Sequence, residues 1–123
     1  MILVDTSVWT DHLRRGDDGL RKLLERGLVL SHPFVIGELA MGSLKQRAAV
    51  SGALQDLPKA TIAQEDEVLH FTSARGLFGL GIGYIDAHLL AAVQLTPDAL
   101  LWTRDQRLHQ IAASLSPADE SMA

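Results

Sequence analysis

Short, unbroken apolar runs recur along this chain, and each stops at a polar residue before a stretch with helical spacing. Ile2-Leu3-Val4 stops at Asp5, Leu28-Val29-Leu30 stops at Ser31, and Leu100-Leu101-Trp102-Thr103 is followed by Arg104-Asp105. A strand that is apolar at every position, not at alternate ones, is buried on both faces. Such strands belong to parallel sheets covered by helices. Ala60-Thr61-Ile62-Ala63 reads as a weaker strand of the same kind. The chain is therefore expected to be α/β, with helices on both sides of a parallel sheet.

The stretches between the runs carry the helices. Thr6 or Ser7 caps one bearing Val8, Trp9 and Leu13, ended by Gly16. Asp17 or Asp18 caps the next, with Leu20, Leu23 and Leu24 on one face and Gly27 at its close. Pro33 opens a helix through Val35, Ile36, Leu39 and Ala40, and a further one is expected from Leu44 to Leu57, stopped by Pro58. Gln64 to Leu77 follows, then a glycine-rich stretch from Gly76 to Gly83, then an amphipathic helix from Tyr84 to Gln94. The last helix sets Leu108, Ile111, Ala112 and Leu115 on one side. Residues 1–123 are expected to form one domain, with 116–123 expected to fray.

Cysteine is absent, so thiol catalysis, iron–sulfur clusters and cysteine-based zinc sites are excluded. No basic leader precedes an apolar run and no run is long enough to cross a bilayer, so a cytoplasmic protein is expected. The net charge is −4, from 15 acids against 11 Lys and Arg, which excludes a generally basic nucleic-acid binder.

Where the acids stand matters more than their number. Asp5 ends the first strand, and Asp105 lies just past the last. Asp86 opens the helix after the glycine stretch, and Glu38 interrupts an apolar helix that carries no nearby Lys or Arg. In open α/β sheets, ligands bind beyond the carboxyl ends of the strands. Singly, Asp5, Asp86 and Asp105 are explained as helix caps or dipole partners. Jointly, four carboxylates at one edge repel, and a hard divalent cation relieves that repulsion. Setting those four aside leaves acids and bases balanced at 11 each.

Four stretches, Met1-Ile2-Leu3-Val4-Asp5-Thr6-Ser7, Gly37-Glu38-Leu39, Gly81-Ile82-Gly83-Tyr84-Ile85-Asp86-Ala87 and Thr103-Arg104-Asp105, together resemble the PIN domain. Within that family they are similar to the VapC-type toxin ribonucleases of toxin–antitoxin pairs. The resemblance spans nearly the whole chain. It implies a three-layer α/β/α sandwich with four or five short parallel strands. It also implies a Mg²⁺ or Mn²⁺ site formed by Asp5, Glu38, Asp86 and Asp105 that hydrolyses RNA. Thr6, Ser7 and Thr103 match supporting hydroxyls. A homodimer and a small antitoxin that docks across helices and blocks the site are implied as well.

Other classes fit less well. A dehalogenase-type phosphatase wants a second Asp where Ser7 stands, and a phosphotransfer receiver wants a late Lys, whereas the last is Lys59. A catalytically inactive PIN-like module, binding RNA or protein, would have lost one of the four acids. Gly79-x-Gly81-x-Gly83 lacks the dinucleotide spacing, and His12, His32, His70, His88 and His109 lack metal-ligand spacing. Trp9, Leu13, Leu20 and Leu24 are either core or a groove for a partner helix. RNA contacts are sought among Arg14, Arg15, Lys45, Arg47, Arg75, Arg104 and Arg107, with Arg75 and Arg104 favoured by their place beside the site.

Overall fold

The apolar runs pair side by side in the computed structural model, which describes residues 1–43 and 45–115. Strand β1 (Ile2–Val4) is central, flanked by β2 (Val29–Leu30) and β3 (Leu100–Trp102), all parallel, in the order β2-β1-β3. Leu3 lies opposite Leu30 on one side and Leu101 on the other. The ladder continues one residue further, where Asp5 N–H donates to the Trp102 carbonyl at 2.9 Å.

Helices α1 (Thr6–Arg15) and α2 (Asp18–Glu25) form the crossover from β1 to β2. Helices α3 (Pro33–Ala40), α4 (Arg47–Gln55), α5 (Glu65–Ala74) and α6 (Tyr84–Leu95) carry the chain back past β1 to β3, and α7 (Gln106–Leu115) follows. Right-handed crossovers that run in opposite directions place their helices on opposite faces, which yields the α/β/α layering. They also leave a crevice between the carboxyl ends of β1 and β3.

Helix α6 organises the core. Six consecutive residues, Ala87 to Ala92, are buried. Leu89 and Ala92 meet Leu3, Val4, Val8 and Val35, while Ala87 and Ala91 meet Val68 and Ala63. Leu90 meets Leu77 and Leu108. No stripe pattern is needed for a helix buried on all sides. Trp9 and Leu20 belong to the core and do not line a groove.

The described residues hold three strands, fewer than the four or five expected. Residues 60–63 do not form a strand. The chain touches the sheet edge only at a single parallel bridge between Ser31 and Lys59. Pro58 has no N–H to offer the ladder, and Thr61 N–H turns away to the Thr96 hydroxyl at 2.9 Å. Helix α4 starts later than expected because Gln46 takes a left-handed backbone, φ 55°. Leu44, the expected start, and the tail 116–123 lie outside the described residues.

Candidate active site

Asp5 stands at the N-cap position of α1 but makes no side-chain cap bond. Its carboxylate is instead turned into the crevice between β1 and β3. There Oδ2 accepts hydrogen bonds from Ser7 Oγ and from Thr103 Oγ1, each at 2.8 Å. Both hydroxyls are themselves fixed, since Arg104 N–H donates to Ser7 Oγ at 3.0 Å and Asp105 N–H to Thr103 Oγ1 at 3.1 Å. Asp5 is only 8% exposed, so its orientation is set by protein groups and not by solvent. Of the three hydroxyl residues named from the sequence, Ser7 and Thr103 bond Asp5 here and Thr6 does not.

Asp105 and Asp86 each have two uses. Asp105 Oδ1 accepts from Leu108 N–H at 3.0 Å and so caps α7. Asp86, in the first turn of α6, accepts from Gly83 N–H through Oδ2 at 3.1 Å. The bland reading of both as helix-end residues is correct for one oxygen of each. The remaining oxygens, together with Asp5 Oδ1, have no hydrogen-bond partner among the described residues. Burial pushes the Asp86 carboxyl above the usual carboxylate range. The Gly83 N–H opposes this, and the negative charges of Asp5 and Asp105 add to it. Three aspartates from three separate stretches thus lie near enough for Asp86 to feel the charge of the other two.

Glu38 is brought beside this group and not into it. The sequence pattern suggested a carboxylate buried in an apolar helix, but Glu38 is exposed on α3. The burial of α3 falls on Val35 and Leu39, which leaves Glu38 on the wall of a cleft. Thr6 Oγ1 donates to Glu38 Oε1 at 2.8 Å, tying α3 to the residue after Asp5.

Among the described residues, no Lys or Arg forms an ion pair with Asp5, Glu38, Asp86 or Asp105. Nor, among those residues, do any three Asp, Glu or His side chains, as placed, come together closely enough to hold a metal ion. Hard oxygen donors, mutual repulsion and three oxygens left without protein partners suit a divalent cation such as Mg²⁺, which keeps several waters and needs few protein ligands.

A PIN domain family model matches residues 2–114. The chain belongs to the PIN domain family. Ribonuclease VapC32 of Mycobacterium tuberculosis, from strain CDC 1551 / Oshkosh and from strain ATCC 25618 / H37Rv, is 49% identical to it over 113 residues. The match covers 92% of this chain and 91% of that relative.

The arginines of this PIN domain divide by what holds them. Arg104 is committed, with Nε 3.1 Å from Asp11 Oδ2, Nη2 2.6 Å from Asp17 Oδ2, and its guanidinium over the Trp102 ring at 5.5 Å. Arg75 caps the end of α5, 5.9 Å from the Phe71 ring, and makes no ion pair among the described residues. Sequence spacing could not show the Asp11–Arg104–Asp17 cluster, because it needs α1, α2 and the end of β3 to meet. On the Glu38 side, Thr6, Thr10, Leu13, Arg14, Leu39, Lys45 and Val50 contribute to a cleft of about 870 Å³.

Proposed function

We propose that this PIN domain is an endoribonuclease that hydrolyses RNA phosphodiester bonds and serves as the toxin of a toxin–antitoxin pair. The observation that carries the reading is that Thr103 ties Asp5 and Asp105 together at the ends of β1 and β3, with Asp86 near enough to feel both charges and, among the described residues, no cation paired to any of the three. Near-full-length similarity to a protein named Ribonuclease VapC32 supports it.

In this reading Asp5, Asp86 and Asp105 hold Mg²⁺ or Mn²⁺, with Glu38 beside them. A divalent ion there supplies positive charge to the phosphate and makes water a better nucleophile at neutral pH. The chain's own work is positional. Ser7 and Thr103 fix Asp5 so that one oxygen faces the crevice. Glu38, held through Oε1 by Thr6, keeps Oε2 for a water or a substrate hydroxyl. Arg75 and Arg104 are candidate RNA contacts, Arg104 only by leaving Asp11 and Asp17.

The cleft beside Glu38 combines apolar Leu13, Leu39 and Val50 with Arg14 and Lys45. A small antitoxin lying across these helices would cover Glu38 and block the site. We take the working form to be a cytoplasmic homodimer. No described helix is long and apolar enough to cross a membrane.

The test is cleavage of single-stranded RNA by purified protein with Mg²⁺, with Mn²⁺ and with excess EDTA, beside Asp5→Asn. Cleavage that needs the divalent ion and vanishes in the variant is expected. Equal cleavage in EDTA would overturn the reading.

A further inference from the structure

Two arginines stand close to Asp105 in sequence, and the fold treats them differently. Arg104 is neutralised by Asp11 and Asp17. Arg107 makes no ion pair and no hydrogen bond among the described residues, although Asp105 stands two positions before it. Arg107 packs beside a glycine. Its side chain lies across the backbone of Gly81, in the loop that leads into α6 and Asp86. A Cβ on Gly81 would collide with Arg107 Nη1 and stand 3.0 Å from Cζ and 3.2 Å from Cδ. Gly81 also has φ 83°, where side chains are disfavoured. The positive φ favours glycine here, and the Arg107 guanidinium fills the space that a side chain would take.

Both ends of this contact are tied to site acids. Arg107 lies in the first turn of α7, the helix Asp105 caps. Gly81 lies two residues before Gly83, whose N–H is bonded to Asp86. Arg107 rests beside peptide backbone, and among the described residues its guanidinium donors have no protein acceptor.

We propose that Arg107, seated on Gly81, is the phosphate-binding residue of the site, engaging the RNA backbone beside the three aspartates. This rests on the ribonuclease reading above and adds to it the group that would hold the substrate. A planar guanidinium offers paired N–H donors that match two oxygens of one phosphate, which a lysine ammonium does not. The contact is to backbone, so it adds affinity without base preference.

The experiment measures binding apart from cutting. A short, labelled single-stranded RNA is titrated against Asp86→Asn protein in EDTA over a series of salt concentrations. Adding Arg107→Ala should weaken binding about tenfold for every sequence and make the salt dependence shallower by about 0.7 in log–log slope. Arg107→Lys should keep the slope but recover only part of the affinity. Gly81→Ala, which displaces the guanidinium while leaving Arg107 in the chain, should reproduce the defect. Melting curves of each variant report whether it is folded, and Arg107, being exposed, carries the test if Gly81→Ala is not. In the cleaving enzyme, Arg107→Ala should raise KM with little change in kcat.

If Arg107→Ala binds within about twofold of its parent with an unchanged slope, the arginine proposal is wrong while the ribonuclease reading stands. If the otherwise unsubstituted protein neither binds nor cuts RNA, both fall.

Discussion

Thr103 Oγ1 donates a 2.8 Å hydrogen bond to Asp5 Oδ2, joining the carboxyl ends of two adjacent parallel strands. The same oxygen accepts from Asp105 N–H at 3.1 Å, so one hydroxyl aligns two acids. Thr103→Val keeps the shape but removes both bonds in a buried place. It should cost roughly 1–3 kcal/mol in urea denaturation and lower cleavage, with Thr103→Ser restoring much of both. A valine variant as stable and as active as the parent would show that Ser7 alone suffices to hold Asp5.

Asp86 is expected to trade stability for activity. Its carboxyl is raised by burial and by Asp5 and Asp105, so its charged form works against the fold at neutral pH in the absence of a cation. Asp86→Asn retains an oxygen for Gly83 N–H and removes the repulsion. Cleavage should be lost while the melting temperature in EDTA stays level or rises. A clear fall in that temperature would mean that Asp86 acts mainly as a helix-end residue.

Asp5, Asp86 and Asp105 stand at a strand end or a helix start, and such positions follow from local pattern. Asp5 follows an apolar run, Asp105 precedes a helix, and Asp86 follows a glycine loop. What was hidden depends on contacts between distant segments. The apolar run at 60–63 reads as a strand until Thr61 N–H is seen bonded to Thr96, from the end of α6. Glu38 reads as buried because α3 is apolar, yet only Val35 and Leu39 face the core. Arg104 reads as an RNA ligand by its neighbours in sequence, and two acids from α1 and the α1–α2 junction claim it in space.

His32 gives the fold a dependence on pH. It is fully buried, and its Nδ1 accepts from Phe34 N–H at 3.0 Å to cap α3. Burial first, and then the nearby His88, push its pKa from 6.5 down to about 4. His88 is also lowered by burial, against a raising effect of Glu65. The folded state therefore keeps His32 neutral where the unfolded chain protonates it. Its contribution is complete above pH 6.5 and is lost as pH falls toward 4. Denaturation across that window should lose roughly 3 kcal/mol to this group. His32→Asn, which keeps a capping oxygen and does not titrate, should flatten the curve. An unchanged curve would assign the loss to groups other than His32, with His88 and the carboxylates among them.

The carboxylate group should make the fold sensitive to divalent ions. The charges of Asp5 and Asp105 bear on Asp86 in the native state and are dispersed in the unfolded chain, so a cation that relieves them binds one state and not the other. At a hundredfold excess over its Kd, such an ion adds about 2.7 kcal/mol. Mg²⁺ and Mn²⁺ should raise the melting temperature above that seen in NaCl of equal ionic strength. The rise should largely disappear in Asp5→Asn/Asp86→Asn, which removes two of the three charges while leaving Ser7 and Thr103 an oxygen to bond. Matching NaCl controls separate site binding from general screening of the net charge of −4. If NaCl gives the same rise, or the double variant responds as the parent does, the three aspartates are not a divalent-ion site.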